Sequence, residues 1–134
     1  MVLLSADTLA LERSEQIVSI RQTVRERAVE LGFSLVDQTK IVTAASELAR
    51  NAIQHGGGGA VLIESVNDGV RRGLRLTFED HGPGIPDVGL AMKDGYTTAG
   101  GLGLGLSGAK RLSNEFSIDS APGRGTRVVI TRWK

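Results

Sequence analysis

The sequence predicts an α+β fold, a two-layer sandwich in which helices cover one face of a β-sheet built from antiparallel hairpins. Three observations predict it. Two long stretches early in the chain space their apolar residues as helices do, segments of alternating polarity follow, and turn signals separate those segments. The 134 residues suit one domain with a buried core. Residues 1–134 are therefore expected to form a single unit, with no repeat, linker or charged tail.

Taken in order, residues 2–11 mix apolar and polar side chains and read as a first strand. Residues 14–31 carry Ile17, Ile20, Val24, Ala28 and Leu31 on one helical stripe, and Gly32 is a stop signal. Asp37 is placed to cap a second helix, whose stripe is Ile41, Ala45, Leu48 and Ala52 and which ends at His55 before four glycines. Residues 60–66 read as a strand. Gly69 marks a turn, and Leu74, Leu76 and Phe78 then alternate with Arg75, Thr77 and Glu79. Residues 104–112 read as a helix and 116–120 as a short strand. Pro122-Gly123-Arg124-Gly125 is a turn, and residues 126–131 form a last strand on which Trp133 is expected to pack.

Composition narrows the function. A net charge of +1 gives no broad electrostatic case for nucleic acid or an anionic membrane. The absence of cysteine excludes disulfides and cysteine metal sites, and it is compatible with a reducing compartment. Asp7, Glu12 and Arg13 argue against a signal peptide. The longest uncharged run, residues 95–109, is too short and too glycine-rich to span a membrane. A cytoplasmic protein with neither nucleic acid nor membrane as partner is expected.

Three local motifs carry chemistry. Glu47 and Asn51 are four residues apart on a helix and share a face. Asn51 offers a neutral oxygen to a hard cation such as Mg²⁺, and Glu47 can take a proton from an attacking hydroxyl. The bland alternative is a solvated helix face. Asp80-His81-Gly82-Pro83-Gly84-Ile85-Pro86 ends a strand. An aspartate there can accept from an exocyclic amine such as adenine presents, or the segment is an ordinary turn. Gly100-Gly101-Leu102-Gly103-Leu104-Gly105 leads into a helix, so its backbone N–H groups can surround an anion. Thr97, Thr98 and Lys110 stand ready to assist. The glycines of this motif also exist as a plain surface loop in the bland reading.

Two textual matches fail. Gly103-Leu104-Gly105-Leu106-Ser107-Gly108 spells G-x-G-x-x-G, but no strand precedes it and too little chain follows for a dinucleotide-binding half. Gly108-Ala109-Lys110-Arg111 lacks the Gly-Lys-Ser/Thr of a P-loop.

Together these residues resemble the GHKL ATP-binding family, which includes gyrase, the heat-shock chaperone, histidine kinases and MutL. Four boxes align in order: Glu47-Leu48-Ala49-Arg50-Asn51, Asp80-His81-Gly82-Pro83-Gly84, Gly101-Leu102-Gly103-Leu104-Gly105-Leu106, and Gly123-Arg124-Gly125-Thr126. The resemblance runs from about residue 14 to the end. Within the family the chain is most similar to the small anti-sigma-type serine/threonine kinases, and nearest to the switch kinases of the stressosome. The segments that carry this are Val36-Asp37-Gln38, Ser46 through Asn51, Asp80 through Asp87, Gly100 through Gly103, Lys110-Arg111-Leu112 and Glu115-Phe116.

The resemblance implies a Bergerat-type, HATPase-like kinase domain with a mixed, mostly antiparallel sheet. It implies Mg²⁺ and ATP as cofactors. Glu47 would be the general base and Asn51 the Mg²⁺ ligand. Asp80 would read the adenine amine beside Gly82, Gly84, Ile85 and Thr126. Gly100, Gly101, Leu102, Gly103, Leu104 and Gly105 would cradle the phosphates. It further implies STAS-domain proteins as substrate and scaffold, and a downstream phosphatase activated after release from them. Many of these kinases carry an arginine in the lid. Residues 97–108 hold no basic side chain here, so Lys110, Lys93 or a partner is expected to complete the phosphate site. The competing reading is an anti-sigma factor that sequesters a sigma factor and phosphorylates its STAS-domain antagonist. A detached histidine-kinase domain is disfavoured because no helical hairpin remains to carry an acceptor histidine.

Overall fold

The computed structural model describes residues 1–93 and 105–134. The helical stripe in the first third forms two helices after an opening strand: β1 (Val2–Leu11), α1 (Gln16–Glu30) and α2 (Leu35–Gln54). A hairpin follows, β2 (Gly59–Asn67) and β3 (Arg72–Asp80). The short α3 (Val88–Ala91) and α4 (Gly105–Arg111) come next, and a second hairpin, β4 (Glu115–Ser120) and β5 (Thr126–Trp133), completes the described chain.

The break between α1 and α2 is set locally. Gly32 takes φ +85°. Its N–H donates to Val29 O, and the Phe33 N–H reaches back to Ala28 O at 2.9 Å. This is the reciprocal pair of bonds by which a left-handed residue closes a helix end. Phe33 is buried beside Ala28, which fixes the angle of the turn. The cap of α2 differs from the sequence expectation. Ser34, in extended backbone, accepts from the Asp37 N–H through its side chain, so Ser34 is the cap and Asp37 lies in the first turn. There Asp37 favours the helix N-terminus and accepts from Arg132 at 2.7 Å.

The five strands run in the order β1-β2-β3-β5-β4. All four pairings are antiparallel, so the sheet expected to be mostly antiparallel has no parallel pair among the described residues. The register places Val61 opposite Phe78 and Ile63 opposite Leu76, and sets Val128 and Ile130 on the other side of those same residues. Because side chains alternate along a strand, these residues share one face. They are buried with Ile20, Val24 and Ala28 of α1, with Ile41, Ala45, Leu48 and Ala52 of α2, and with Leu106 and Ala109 of α4. Burial of that one face is the main stabilising term. The opposite face carries the Glu64–Arg75 ion pair, 3.0 Å. At the far end of β5, the Trp133 ring packs under the Arg71 guanidinium, 4.1 Å away, and its indole donates to Glu115.

The register also builds one corner of the sheet. Asp80 ends β3 between Gly59 of β2 and Thr126 of β5. Gly56, just past the C-terminal end of α2, comes down onto Asp80 at this same corner.

Candidate nucleotide site

A cleft of about 350 Å³ opens at that corner, within the range of small-molecule sites. Its floor is Phe78, Asp80, Thr126 and Val128 from β3 and β5. One wall is the face of α2 that carries Glu47, Arg50, Asn51 and His55. Gly84, Ile85, Pro86 and Asp87 form another, and Leu90, Ala91, Gly105 and Leu106 bound the rest. The floor is apolar except for the Asp80 carboxylate and the Thr126 hydroxyl. A flat ring with a polar edge matches such a floor.

Asp80 is 8% exposed. One carboxylate oxygen accepts from the Gly82 N–H at 3.0 Å, which leaves acceptor capacity on the other for a ligand. Three neighbouring positions have no room for a side chain. A methyl group at Gly56 would stand 2.3 Å from the Asp80 carboxyl carbon, and one at Gly125 would stand 2.2 Å from the Asp80 carbonyl oxygen. At Gly82 it would meet the Gly56 carbonyl at 2.5 Å. Glycine lets these three segments close round one carboxylate.

A second clasp holds the neighbouring turn. The Ser120 hydroxyl accepts from the Ile85 N–H at 2.8 Å and donates to Gly125 O at 3.0 Å, with Thr126 Oγ1 2.8 Å away. The Gly123 N–H donates to Pro83 O at 2.7 Å. Gly84, at φ +79°, leaves no room for a Cβ, which would lie 2.0 Å from Ala121 O. The 80–86 turn and the β4–β5 turn are thereby fixed as one unit.

On α2, Glu47 is buried and Asn51 half-buried. The Arg50 guanidinium donates to Glu47 at 2.9 Å. Among the described residues no cluster of three histidine, aspartate or glutamate side chains could cage a metal alone. One amide oxygen with a carboxylate a turn away fits Mg²⁺, which keeps waters and takes phosphate oxygens.

The structure therefore brings Glu47, Asn51, Asp80, Gly84, Ile85, Gly105 and Thr126 to one cleft. Gly82 stands behind Asp80 rather than in the lining. Gly100, Gly101, Leu102, Gly103 and Leu104 lie outside the described residues. Lys93 and Lys110 are exposed and do not line the cleft. Sequence reasoning missed Gly56, Ser120 and the position of Arg50. The four-glycine run after the acid-amide helix was a signal for Gly56. Nothing local signals Ser120, whose partner Ile85 is 35 residues away.

The same order of elements and motifs is that of a known ATPase family. The model described as histidine kinase-, DNA gyrase B- and HSP90-like ATPase matches residues 36–134, from the first turn of α2 to the last residue. The chain belongs to this family. It is 51% identical over 117 residues to the serine/threonine-protein kinase RsbT of Bacillus subtilis, covering 87% of this chain and 88% of that one. It is 34% identical over 131 residues to an anti-sigma F factor of Bacillus licheniformis, covering 92% and 86%. The crystal structure of the RsbU and RsbW domains of a Mycobacterium tuberculosis protein matches with a TM-score of 0.64 at 23% identity. That match covers 96% of this chain but 32% of the other, and it is a likeness of fold. No described helix is long and apolar enough to cross a membrane.

Proposed function

We propose that the chain binds Mg-ATP in this cleft and transfers the γ-phosphate to a serine or threonine of STAS-domain partner proteins, as a switch in a stress response. After release from those partners it binds and activates a downstream phosphatase. The chain is an ATP-dependent protein serine/threonine kinase. The observation that carries the site is the convergence of Asp80, Asn51 and Glu47, which lie on two elements, in one cleft with an apolar floor.

Each residue then has a role. The Asp80 carboxylate accepts from the adenine amine, and Thr126, held by Ser120, hydrogen-bonds beside it. Asn51 gives its amide oxygen to Mg²⁺. An ion held there would supply neutralisation of phosphate charge. Glu47 accepts the proton of the attacking hydroxyl, so the proton passes from substrate oxygen to the carboxylate as the new O–P bond forms and ADP leaves. Positioning and charge neutralisation carry most of such a transfer. The second reading, an anti-sigma factor that holds a sigma factor and phosphorylates its antagonist, draws on the 34% identity to the anti-sigma F factor. The 51% identity to RsbT favours the first.

Calorimetric titration of Mg-ATP into the whole chain tests the site. Asp80→Asn keeps the acceptor for Gly82 but presents an amide to the adenine. Its affinity should fall by about tenfold to a hundredfold, the cost of a lost hydrogen bond to a charged group. Wild-type affinity in this variant would remove Asp80 from the reading.

A further inference from the structure

Arg50 is the only lysine or arginine among the described residues that line the cleft. Residues 94–104 contain neither in sequence. The Arg50 side chain is 35% exposed and that of Glu47 8%. The carboxylate is thus held in the wall while the guanidinium lies nearer the open side. Along α2, about 10 Å of helix axis separates Glu47 from Gln54, and Gly56 just beyond abuts Asp80. Glu47 and Arg50 are therefore at the end of the cleft remote from Asp80. If Asp80 marks the base, that remote end receives the terminal phosphate, and the inference rests on that reading of the site.

We propose that Arg50 is the cation that senses the γ-phosphate, and that it exchanges Glu47 for this phosphate when a triphosphate binds. A buried carboxylate needs a partner while the cleft holds no nucleotide, and Arg50 supplies it. A guanidinium matches phosphate oxygens with the same two-pronged geometry as a carboxylate. While Arg50 donates to Glu47, it occupies lone pairs that must accept the proton of the attacking hydroxyl. Its transfer to the phosphate frees Glu47 only when a transferable group is present. ADP offers no phosphate at that distance and leaves the pair closed.

The test is calorimetric affinity for Mg-ATP and Mg-ADP in wild type, Arg50→Met, Arg50→Lys, Glu47→Gln and the Arg50→Met/Glu47→Gln double variant. Arg50→Met should lose about tenfold in ATP affinity, the scale of a charge-assisted hydrogen bond, a loss that ADP affinity does not share, with folding checked separately by the thermal midpoint. Arg50→Lys, which keeps the charge without the fork, should lose part of the ATP preference. Glu47→Gln loosens the tie on Arg50 and should raise ATP affinity relative to ADP, a gain that the double variant cancels. A wild-type ATP-to-ADP ratio in both Arg50 variants overturns the assignment while leaving the nucleotide site standing. Persistence of the Glu47→Gln gain in the double variant also overturns it. Wild type that binds neither nucleotide overturns the site and the assignment together.

Discussion

Asp80 is surrounded by glycines from three segments, Gly56, Gly82 and Gly125, and none of those positions has room for a methyl group. Gly84 is constrained twice over, because it combines φ +79° with a Cβ position 2.0 Å from the Ala121 carbonyl. Gly84→Ala should therefore destabilise the fold by about 2 kcal/mol or more through strain and backbone displacement. Denaturant unfolding measures this, and an unchanged midpoint would show that the turn relaxes freely. The placement of Glu47, Asn51 and Asp80 at one cleft was legible in the sequence because their signals are local: a spacing of four on a helix and the end of an alternating strand. Gly56 against Asp80 and Ser120 against Ile85 were not, since each contact joins segments far apart in the chain. The Glu47–Arg50 pair lies at i, i+3, a spacing the sequence offers, but that the guanidinium turns to this carboxylate is a property of the folded wall.

At the scale of elements, α2 organises the site and its ends are set by short-range chemistry. Ser34 caps its start, and His55 and Gly56 close its end onto the sheet. The expectation that Asp37 caps the helix failed for a tertiary reason. Its carboxylate is drawn to Arg132 on β5, 95 residues away, while Ser34, three residues earlier, has the extended backbone that a cap needs. That ion pair has a pH signature. The hydrogen bond from Arg132 holds the Asp37 carboxyl below its ordinary value of 3.8, and Arg27 does the same for Asp7. In the β2–β3 turn, the Arg71 and Val70 backbone N–H groups lower Asp68 to about 2. A carboxyl whose folded value lies below its unfolded value binds fewer protons when folded. Its stabilisation is complete above the unfolded value and disappears as pH falls through the folded one. Thermal midpoints should therefore be flat with respect to these groups above about pH 4 and fall between about pH 4 and 2. Asp37→Asn should flatten part of that slope. A slope identical to wild type would show that the pair with Arg132 does not contribute.

For the whole molecule, alternation in β3 and the helical stripes made the two layers and the buried face legible. The strand order was not. Placing β5 between β3 and β4 depends on pairings such as Asp80 with Thr126, which no local pattern specifies. That order brings Thr126 beside Asp80, so the cleft is a product of topology as much as of motif. Because the cleft joins α2 to both hairpins, a nucleotide bound there should stabilise the entire fold. At a hundredfold excess over its dissociation constant, Mg-ATP should add about 2.7 kcal/mol, raising the melting midpoint by roughly 5–10 °C. A thermal scan with and without nucleotide checks this, and no shift at saturating concentration would show that the folded chain does not bind Mg-ATP.

The most direct test of the central claim is phosphoryl transfer itself. The chain is incubated with Mg-ATP and a STAS-domain protein, and the acceptor is mapped by mass spectrometry, with Glu47→Gln in parallel. One phosphate on a serine or threonine of the STAS protein, dependent on ATP and lost in Glu47→Gln, is the expected result. No transfer from a folded chain that binds nucleotide, or transfer undiminished in Glu47→Gln, would contradict the account.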